Sequence, residues 1–272
     1  MMRPLARPVP PWLSATLLAT EGLALLALEL RRPLRTAPEP KVRRDARNAV
    51  IAALALGATT AVEAPVAARL ARFAGVRRWG IAGRLPLPAP ARAIAAVALM
   101  DYTMYLWHVL AHRTSLLWRF HVVHHVDRGL DASTALRFHV GEQILSVPWR
   151  AAQILVIGTT PLQLTLWQTA FLASIVFHHS NVRLPARFER VLRLLIITPP
   201  LHGIHHADRR ELEYSNLSSG LTLWDVLHRT YRSGIAQERL TIGLPAYARD
   251  ADLTLRRVLA LPFESQRDAF AD

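Results

Sequence analysis

The run AAQILVIGTTPLQLTLWQTAFLASIVF, residues 151–177, has no charged side chain over 27 residues and carries a Gly158-Thr-Thr-Pro161 break near its middle. One unbroken helix here would place the flanking residues on opposite sides of a membrane. Glycine and proline at the centre favour a turn, so the run predicts a helical hairpin that returns to its starting side. Arms of 13–17 residues would be about 20–25 Å long. That is short for a full span, so the arms extend past the membrane or the hairpin is re-entrant.

Three further apolar segments precede this run, at residues 12–30, 49–68 and 93–107, and the second is interrupted by Glu63 and Pro65. No small-residue cleavage site follows the first segment, which predicts an uncleaved helix rather than a signal peptide. Between these segments, residues 31–47 predict a polar connection and residues 70–92 a loop or an interfacial segment. The alternative is a soluble helical protein with long core helices.

The composition narrows the class of protein. Hydrophobic residues make up 51% of the chain, and the net charge of +13 comes mainly from arginine. Arginines scattered around apolar segments are typical of membrane helices that meet anionic headgroups, and no basic element for nucleic-acid recognition stands out. The absence of cysteine excludes thiolate metal sites, iron–sulfur clusters and disulfides within this sequence.

Eleven of the twelve histidines fall between positions 108 and 206, and most of them are grouped. Residues three and four apart share a helical face, so such histidines converge on one point. Neutral imidazole suits iron, zinc, copper or nickel, and the density of these groups predicts a site with two metals. The groups are His108/His112 (HxxxH), His121/His124/His125 and His202/His205/His206 (two HxxHH boxes), and His178/His179, with His139 standing alone.

The predicted hairpin explains how these groups meet. It brings His125 and His179, which flank the apolar run, to the same side of the membrane. The third apolar helix ends at His108 on that side too. The sequence therefore predicts an all-α integral membrane helical bundle of about four to five membrane helices, including the hairpin, with a cytosolic helical cap that carries the histidine cluster.

These segments resemble the fatty acid hydroxylase / sterol desaturase superfamily of membrane di-iron enzymes. The similar segments are DYTMYLWHVLAHR (101–113), LLWRFHVVHHVD (116–127), STALRFHVGE (133–142), FHHSNVRLP (177–185), TPPLHGIHHAD (198–208) and LTLWDVLHRTY (221–231). Val140 stands where the family usually has proline, and Tyr214-Ser-Asn-Leu-Ser-Ser-Gly220 replaces its usual Asn-Tyr-Gly. The resemblance implies N-terminal membrane helices and basic loops at 1–92, a catalytic domain at 93–235 and a tail at 236–272.

The resemblance also implies the site. The expected metal ligands are His108, His112, His121, His124, His125, His179, His202, His205 and His206. The residues expected either as ligands or as groups that hydrogen-bond to the ligands are His139, His178, Asp101, Glu142 and Asn181.

The implied activity is hydroxylation or desaturation of a lipid with two iron ions and O2 as co-substrate. The sequence carries no electron-transfer domain, so electrons would come from a separate ferredoxin-like or cytochrome-b5-like donor with its reductase. The lysine-poor composition suggests the inner membrane of a bacterium, with the histidine face cytoplasmic. Two alternatives stay open: a zinc-dependent membrane hydrolase or lyase, although HxxHH lacks the glutamate base of HExxH, and a non-catalytic membrane protein with a vestigial site.

Overall fold

The structure is a computed structural model that describes residues 8–36 and 38–271. Over these residues the chain is helical, and its only β pairings are isolated bridges such as Pro33 with Val182. The helices are α1 (Pro11–Arg31), α2 (Lys41–Ala58), α3 (Ala64–Arg77), α4 (Gly80–Arg84), α5 (Ala89–Arg113), α6 (Ser115–His125), α7 (Val140–Ile157), α8 (Pro161–His179), α9 (Ala186–Leu192), α10 (Pro199–His205), α11 (Leu223–His228) and α12 (Leu255–Ala260). The all-α prediction is confirmed.

Three of the described segments are long and apolar enough to cross a membrane: Pro11–Arg31, Lys41–Arg84 and Ala89–Arg113. The middle segment differs from its prediction, because helix starts at Lys41 and continues past residue 70 to Arg77. Alanines of α3 face the core while its arginines lie outside, so this arginine-rich stretch is an amphipathic helix and not a loop. The chain turns only at Arg78, which is left-handed.

Glu63 does not end the second apolar helix. A π-helical turn at Thr59–Glu63 carries the chain from α2 into α3. The Glu63 carboxylate accepts a hydrogen bond from Nε of Arg150 on α7 at 3.1 Å. The Arg150 guanidinium also lies 4.4 Å from the centre of the Trp167 ring on α8. Pairing therefore explains how two charged side chains are accommodated in the bundle interior.

The hairpin is present as α7 and α8, and its turn is built from glycine. Gly158 has φ +81° and packs so closely on Trp79 and Gly80 that a Cβ at position 158 would overlap their backbone. The arms have 18 and 19 residues, or about 27 and 29 Å, which is longer than expected. Helix α7 starts at Val140, before the apolar run begins at residue 151, and Thr160 with Gln163 forms a capping box that starts α8.

A buried polar network fixes the end of α6 and the loop that follows it to α2. Nδ2 of Asn48 on α2 donates to Asp127 at 2.9 Å, and the Arg137 guanidinium donates to Asn48 Oδ1 at 2.6 Å and to the Val123 carbonyl at 2.8 Å. Arg44 also pairs with Asp127. These contacts hold the loop after α6 against α2, which keeps the end of α6 in place.

Candidate metal centre

Nine buried histidines come together where four helices end. They are carried by the C-terminal turns of α5, α6 and α8 and by the short helix α10. Every member is at most 8% exposed. The members are His108, His112, His121, His124, His125, His179, His202, His205 and His206. The hairpin therefore places residues from both of its sides at one end of the bundle.

The first group consists of four imidazoles with their Nε2 atoms unpartnered. One nitrogen from each lies within 4.8 Å of those of the others. The Nδ1 atom of His108 faces the Leu217 carbonyl at 2.7 Å, and that of His205 faces the Ser215 carbonyl at 3.0 Å. A carbonyl only accepts, so both Nδ1 atoms carry the proton and both Nε2 atoms keep a free lone pair. The group is His108, His112, His125 and His205, and all four Nε2 atoms are buried without a hydrogen-bond partner.

The second group brings four Nε2 atoms into direct contact. The Nε2 atoms follow the order His124, His179, His202, His206, with successive separations of 3.0, 3.0 and 3.1 Å. His179 Nδ1 donates to the Ile175 carbonyl at 2.7 Å, so its Nε2 is a bare acceptor. Neutral imidazoles can satisfy at most two of the three contacts, because each Nε2 has either one proton or one lone pair. A cation that accepts all four lone pairs fits this arrangement better than protons do.

Adjacent histidines divide between the groups. In the pair His124–His125, and again in His205–His206, one residue belongs to each group. Successive residues on a helix point about 100° apart, so each HxxHH box serves two neighbouring sites. The His125 and His206 rings stack at 4.3 Å, which shows how closely the groups adjoin.

Three imidazoles of the cluster have pKa values below the usual histidine range. Burial first, and then the neighbouring imidazoles, hold the pKa of His124 and of His206 well below the usual histidine range. Burial in the same way lowers the pKa of His205 to about 3. Since a metal needs the neutral ring, these groups stand ready to bind one near neutral pH without first losing protons.

Two carboxylates contact the cluster. His121 lies beside the first group, with its ring 5.0 Å from that of His125, and its Nε2 is unpartnered. Its Nδ1 donates to Oε1 of Glu142 at 3.0 Å, the orienting contact that metal-ligating histidines commonly make. Glu213, which the sequence analysis did not single out, lies 3.5 Å from His112 Nδ1.

The other predicted site residues are not members of either group. His139 caps α7: its Nδ1 accepts from the Gly141 N–H at 2.9 Å, while Nε2 faces the Leu259 carbonyl at 3.2 Å. Asp101 accepts from Trp224 Nε1 at 2.7 Å and contacts no imidazole among the described residues. Asn181 hydrogen-bonds to the backbone of Arg35. His178 packs on His202 with ring centres 4.1 Å apart but belongs to neither group.

The groups that orient the rings were not predicted from the sequence. The carbonyls of Ile175, Ser215 and Leu217 and the ring of Phe138, which stacks on His124 at 4.6 Å, surround the cluster. Backbone carbonyls leave no pattern in the sequence. Phe138 lies one residue before His139 in the quoted STALRFHVGE segment, but nothing in that segment indicates that it stacks on a histidine.

An apolar cavity of about 680 Å³ lies between α1, α5 and α8. Its walls include Val97, Trp167 and Phe171, and Ser174 and Phe177 line it where α8 approaches His178. The cavity lining therefore extends along α8 as far as Phe177, the residue before His178. Glu21 and Asp101 supply the carboxylates in its lining.

Fold and site together define a helical membrane protein with two adjoining all-histidine groups at one end of its bundle. The family description "Fatty acid hydroxylase" matches residues 93–230, half of the chain. The chain belongs to the fatty acid hydroxylase family.

Curated relatives share the same region. The chain is 28% identical over 158 residues to an ornithine lipid hydroxylase of Rhizobium tropici, covering 58% of this chain and 46% of that protein. It is 26% identical to the human alkylglycerol monooxygenase, covering 59% and 34%, and 29% identical to a cholesterol 25-hydroxylase-like protein of Danio rerio, covering 50% and 53%. The chain thus spans about half the length of these relatives, or less. No solved structure matches it significantly.

Proposed function

We propose that this protein is a membrane oxidoreductase that hydroxylates a lipid, with two iron ions held by the histidine cluster and O2 as co-substrate. The observation that carries this proposal is the convergence of two four-imidazole groups in a bundle that also holds an apolar cavity, whose lining includes Phe177, the residue before His178. The names of the relatives, all lipid hydroxylases or monooxygenases, support the same reaction class.

Each histidine of the cluster has a defined part in the proposed metal centre. The first ion would be held by His108, His112, His125 and His205, with His121 as a further nitrogen, and the second by His124, His179, His202 and His206. Iron supplies, when bound, the O2 activation that oxidation of an unactivated C–H bond requires. The Leu217, Ser215 and Ile175 carbonyls fix the tautomers, and Glu142 and Glu213 orient His121 and His112.

The substrate would be a lipid drawn from the bilayer. The cavity walls are mostly apolar and are formed in part by α1 and α5, which are long and apolar enough to cross a membrane, so a hydrocarbon chain would enter without passing through water. The exclusion of water from this cavity would also protect the oxidising site from side reactions.

Electrons would come from a separate donor of the ferredoxin or cytochrome-b5 type. Arg209 and Arg239 are exposed in the segments that follow α10, at the histidine end of the bundle. An acidic electron-transfer protein that approaches this end would meet these two arginines. Reconstitution with a ferredoxin and its reductase should support product formation, and omission of the ferredoxin should abolish it.

We further propose the bacterial inner membrane as the location, with the histidine end in the cytoplasm. Arg31, Arg32, Arg43 and Arg44 near that end favour this orientation by the positive-inside rule, whereas Arg77, Arg78 and Arg84 near the other end oppose it, so direct labelling must decide. The chain has no cysteine, so single cysteines report the orientation cleanly. A membrane-impermeant maleimide should label Glu238→Cys from the cytoplasmic side only, and Arg77→Cys from the opposite side.

The deciding experiment combines metal analysis with lipid analysis. Purified protein should contain about two iron ions per chain, and a strain expressing it should gain lipids heavier by one oxygen atom, derived from O2. His124→Ala and His206→Ala should lose iron and product. His228→Gln, an exposed histidine outside the cluster, should keep both.

Other outcomes separate the alternatives. Turnover of lipid without O2 by a zinc-loaded protein would indicate a hydrolase or lyase. Products that lack two hydrogens and gain no oxygen would indicate a desaturase. Unchanged lipids in the two alanine variants would indicate a non-catalytic protein with a vestigial site.

A further inference from the structure

We propose that Glu21 recognises a hydroxyl group on the lipid that occupies the apolar cavity. This inference rests on the proposed function, because it takes the cavity to be the substrate site. The inference adds a requirement on the substrate that the apolar cavity walls would not suggest. The substrate is a lipid with a hydroxyl group near the carbon that is oxidised, and not a plain hydrocarbon chain.

The first support is the position of Glu21 in the membrane. It lies within α1, one of the segments long and apolar enough to cross a membrane. An ionisable residue inside such a segment is costly and generally marks a functional site unless another group pairs with it. Glu21 is half-buried, lines the cavity and has no charged or hydrogen-bonding partner among the described residues.

The other carboxylates of the bundle show the contrast. Asp101 also lines the cavity, but its carboxylate accepts hydrogen bonds from Trp224 Nε1 and from the Leu221 N–H. Glu63 pairs with Arg150. Both therefore have a structural explanation within the protein, whereas Glu21 has none until a ligand is present.

The register of α1 against α8 places Glu21 near the histidines. Ser14 Oγ lies 2.8 Å from Thr169 Oγ1, and the Asn181 N–H donates to Glu29 at 2.7 Å, so the two helices run parallel. Interpolation between these contacts sets Glu21 opposite Ser174, which also lines the cavity. Ser174 is one helical turn, about 6 Å along the axis, before His178. A group bound by Glu21 would thus lie close to the metal centre.

The ligand class follows from the surroundings. Apart from Glu21, Asp101 and Ser174, most of the cavity wall is apolar, with Ile94, Ala170 and Phe171 among its members. A carboxyl group in such a place favours a neutral partner that both donates and accepts a hydrogen bond. A hydroxyl satisfies both requirements, while an ether oxygen can only accept.

The first test is chemical labelling, which needs neither iron nor turnover. The apolar reagent dicyclohexylcarbodiimide should modify Glu21 in the protein held in lipid nanodiscs, as read by peptide mass spectrometry, and should modify the paired Glu63 far less. 1-Octadecanol should protect Glu21 at a concentration about tenfold lower than 1-methoxyoctadecane, which has the same chain but no hydroxyl donor.

The second test is selectivity. Protein reconstituted with iron and an electron donor should oxidise 1-octadecanol in preference to 1-methoxyoctadecane by about tenfold. Glu21→Leu should bring this ratio close to one with an unchanged iron content, and Glu21→Gln should retain part of it. Thr20→Val, at an exposed neighbouring position outside the cavity lining, should behave as the unaltered protein.

The outcomes are distinct. Equal protection by the methyl ether, better protection by octadecylamine, or an unlabelled Glu21 would each overturn hydroxyl recognition. An unaltered protein with no iron or no oxidised product would instead refute the proposed function, while the labelling and protection results would still decide the role of Glu21.

Discussion

Removing the Glu142 carboxylate should weaken the first metal group without weakening the fold. Glu142 accepts from His121 Nδ1 at 3.0 Å, and both residues are at most 4% exposed. Loss of such an orienting carboxylate typically costs 10–100-fold in metal affinity or activity, or about 1.4–2.7 kcal/mol at 1.36 kcal/mol per tenfold change. Glu142→Ala should therefore lower iron affinity or lipid turnover by about this factor.

The structure also supplies the control. Removing the carboxylate leaves the His121 N–H buried without an acceptor, which costs about 1–3 kcal/mol, but it also removes Oε2, which is itself buried without a partner and so offsets this loss. The thermal midpoint of metal-free Glu142→Ala should therefore stay near that of the unaltered protein. Glu213→Ala should have a smaller effect on iron, since its 3.5 Å contact with His112 is longer than a good hydrogen bond. Full iron occupancy in Glu142→Ala, or a greater loss in Glu213→Ala, would refute this reasoning.

Three further perturbations test the fold and the centre. Gly158→Ala should lower the free energy of unfolding by about 1–3 kcal/mol, because it combines a positive φ with overlap of the facing backbone. A Cβ added at Gly57 would meet no atom within 4 Å, so Gly57→Ala should be neutral or stabilising by up to about 1 kcal/mol when both variants are compared by thermal unfolding. Equal losses of stability in the two variants would contradict the close approach of Gly158 to the facing backbone. Arg150→Ala should lower the free energy of unfolding by about 3–5 kcal/mol, because it leaves Glu63 buried and unpaired. The double variant Arg150→Met with Glu63→Leu should recover most of this loss. A double variant as unstable as Arg150→Ala would show that the ion pair itself adds net stability. A chelator should remove iron in two phases of equal size, as measured by absorbance and metal analysis. A single phase would show that the two groups hold iron equally strongly.

The sequence predicted the parts of the structure that depend on local spacing. The Gly158–Pro161 break gave the hairpin, and the i, i+3, i+4 histidines gave a cluster on one end of the bundle. The arginine-rich stretch at 70–77 was misjudged, because its buried alanines become visible as a helix face only when the packing partner is known. Glycine, arginine and proline together favoured a loop at that point.

The missing parts are contacts between residues far apart in sequence. His112 and Glu213 are separated by 101 positions, and Glu63 and Arg150 by 87. Neither pair has a spacing rule. His139 shows the same limit from the other direction: it stands in a histidine-rich window, yet its two nitrogens contact the Gly141 N–H and the Leu259 carbonyl. Composition alone does not distinguish a helix cap from a ligand.

The two histidine groups also differ electrostatically, which their identical residue types conceal. Carboxylates contact the first group and its neighbour His121 through Glu213 and Glu142. In the second group, His179 Nδ1 faces a backbone carbonyl, and the Nδ1 atoms of the other three members are buried without a partner. The carboxyl groups that contact the cluster therefore lie on one side of it, although burial raises the pKa of Glu213 to about 7, and carboxylate contacts raise the basicity of the rings they touch. If both groups bind iron as proposed, we expect the first group to hold its ion more strongly than the second, and the two phases of the chelation experiment test this difference.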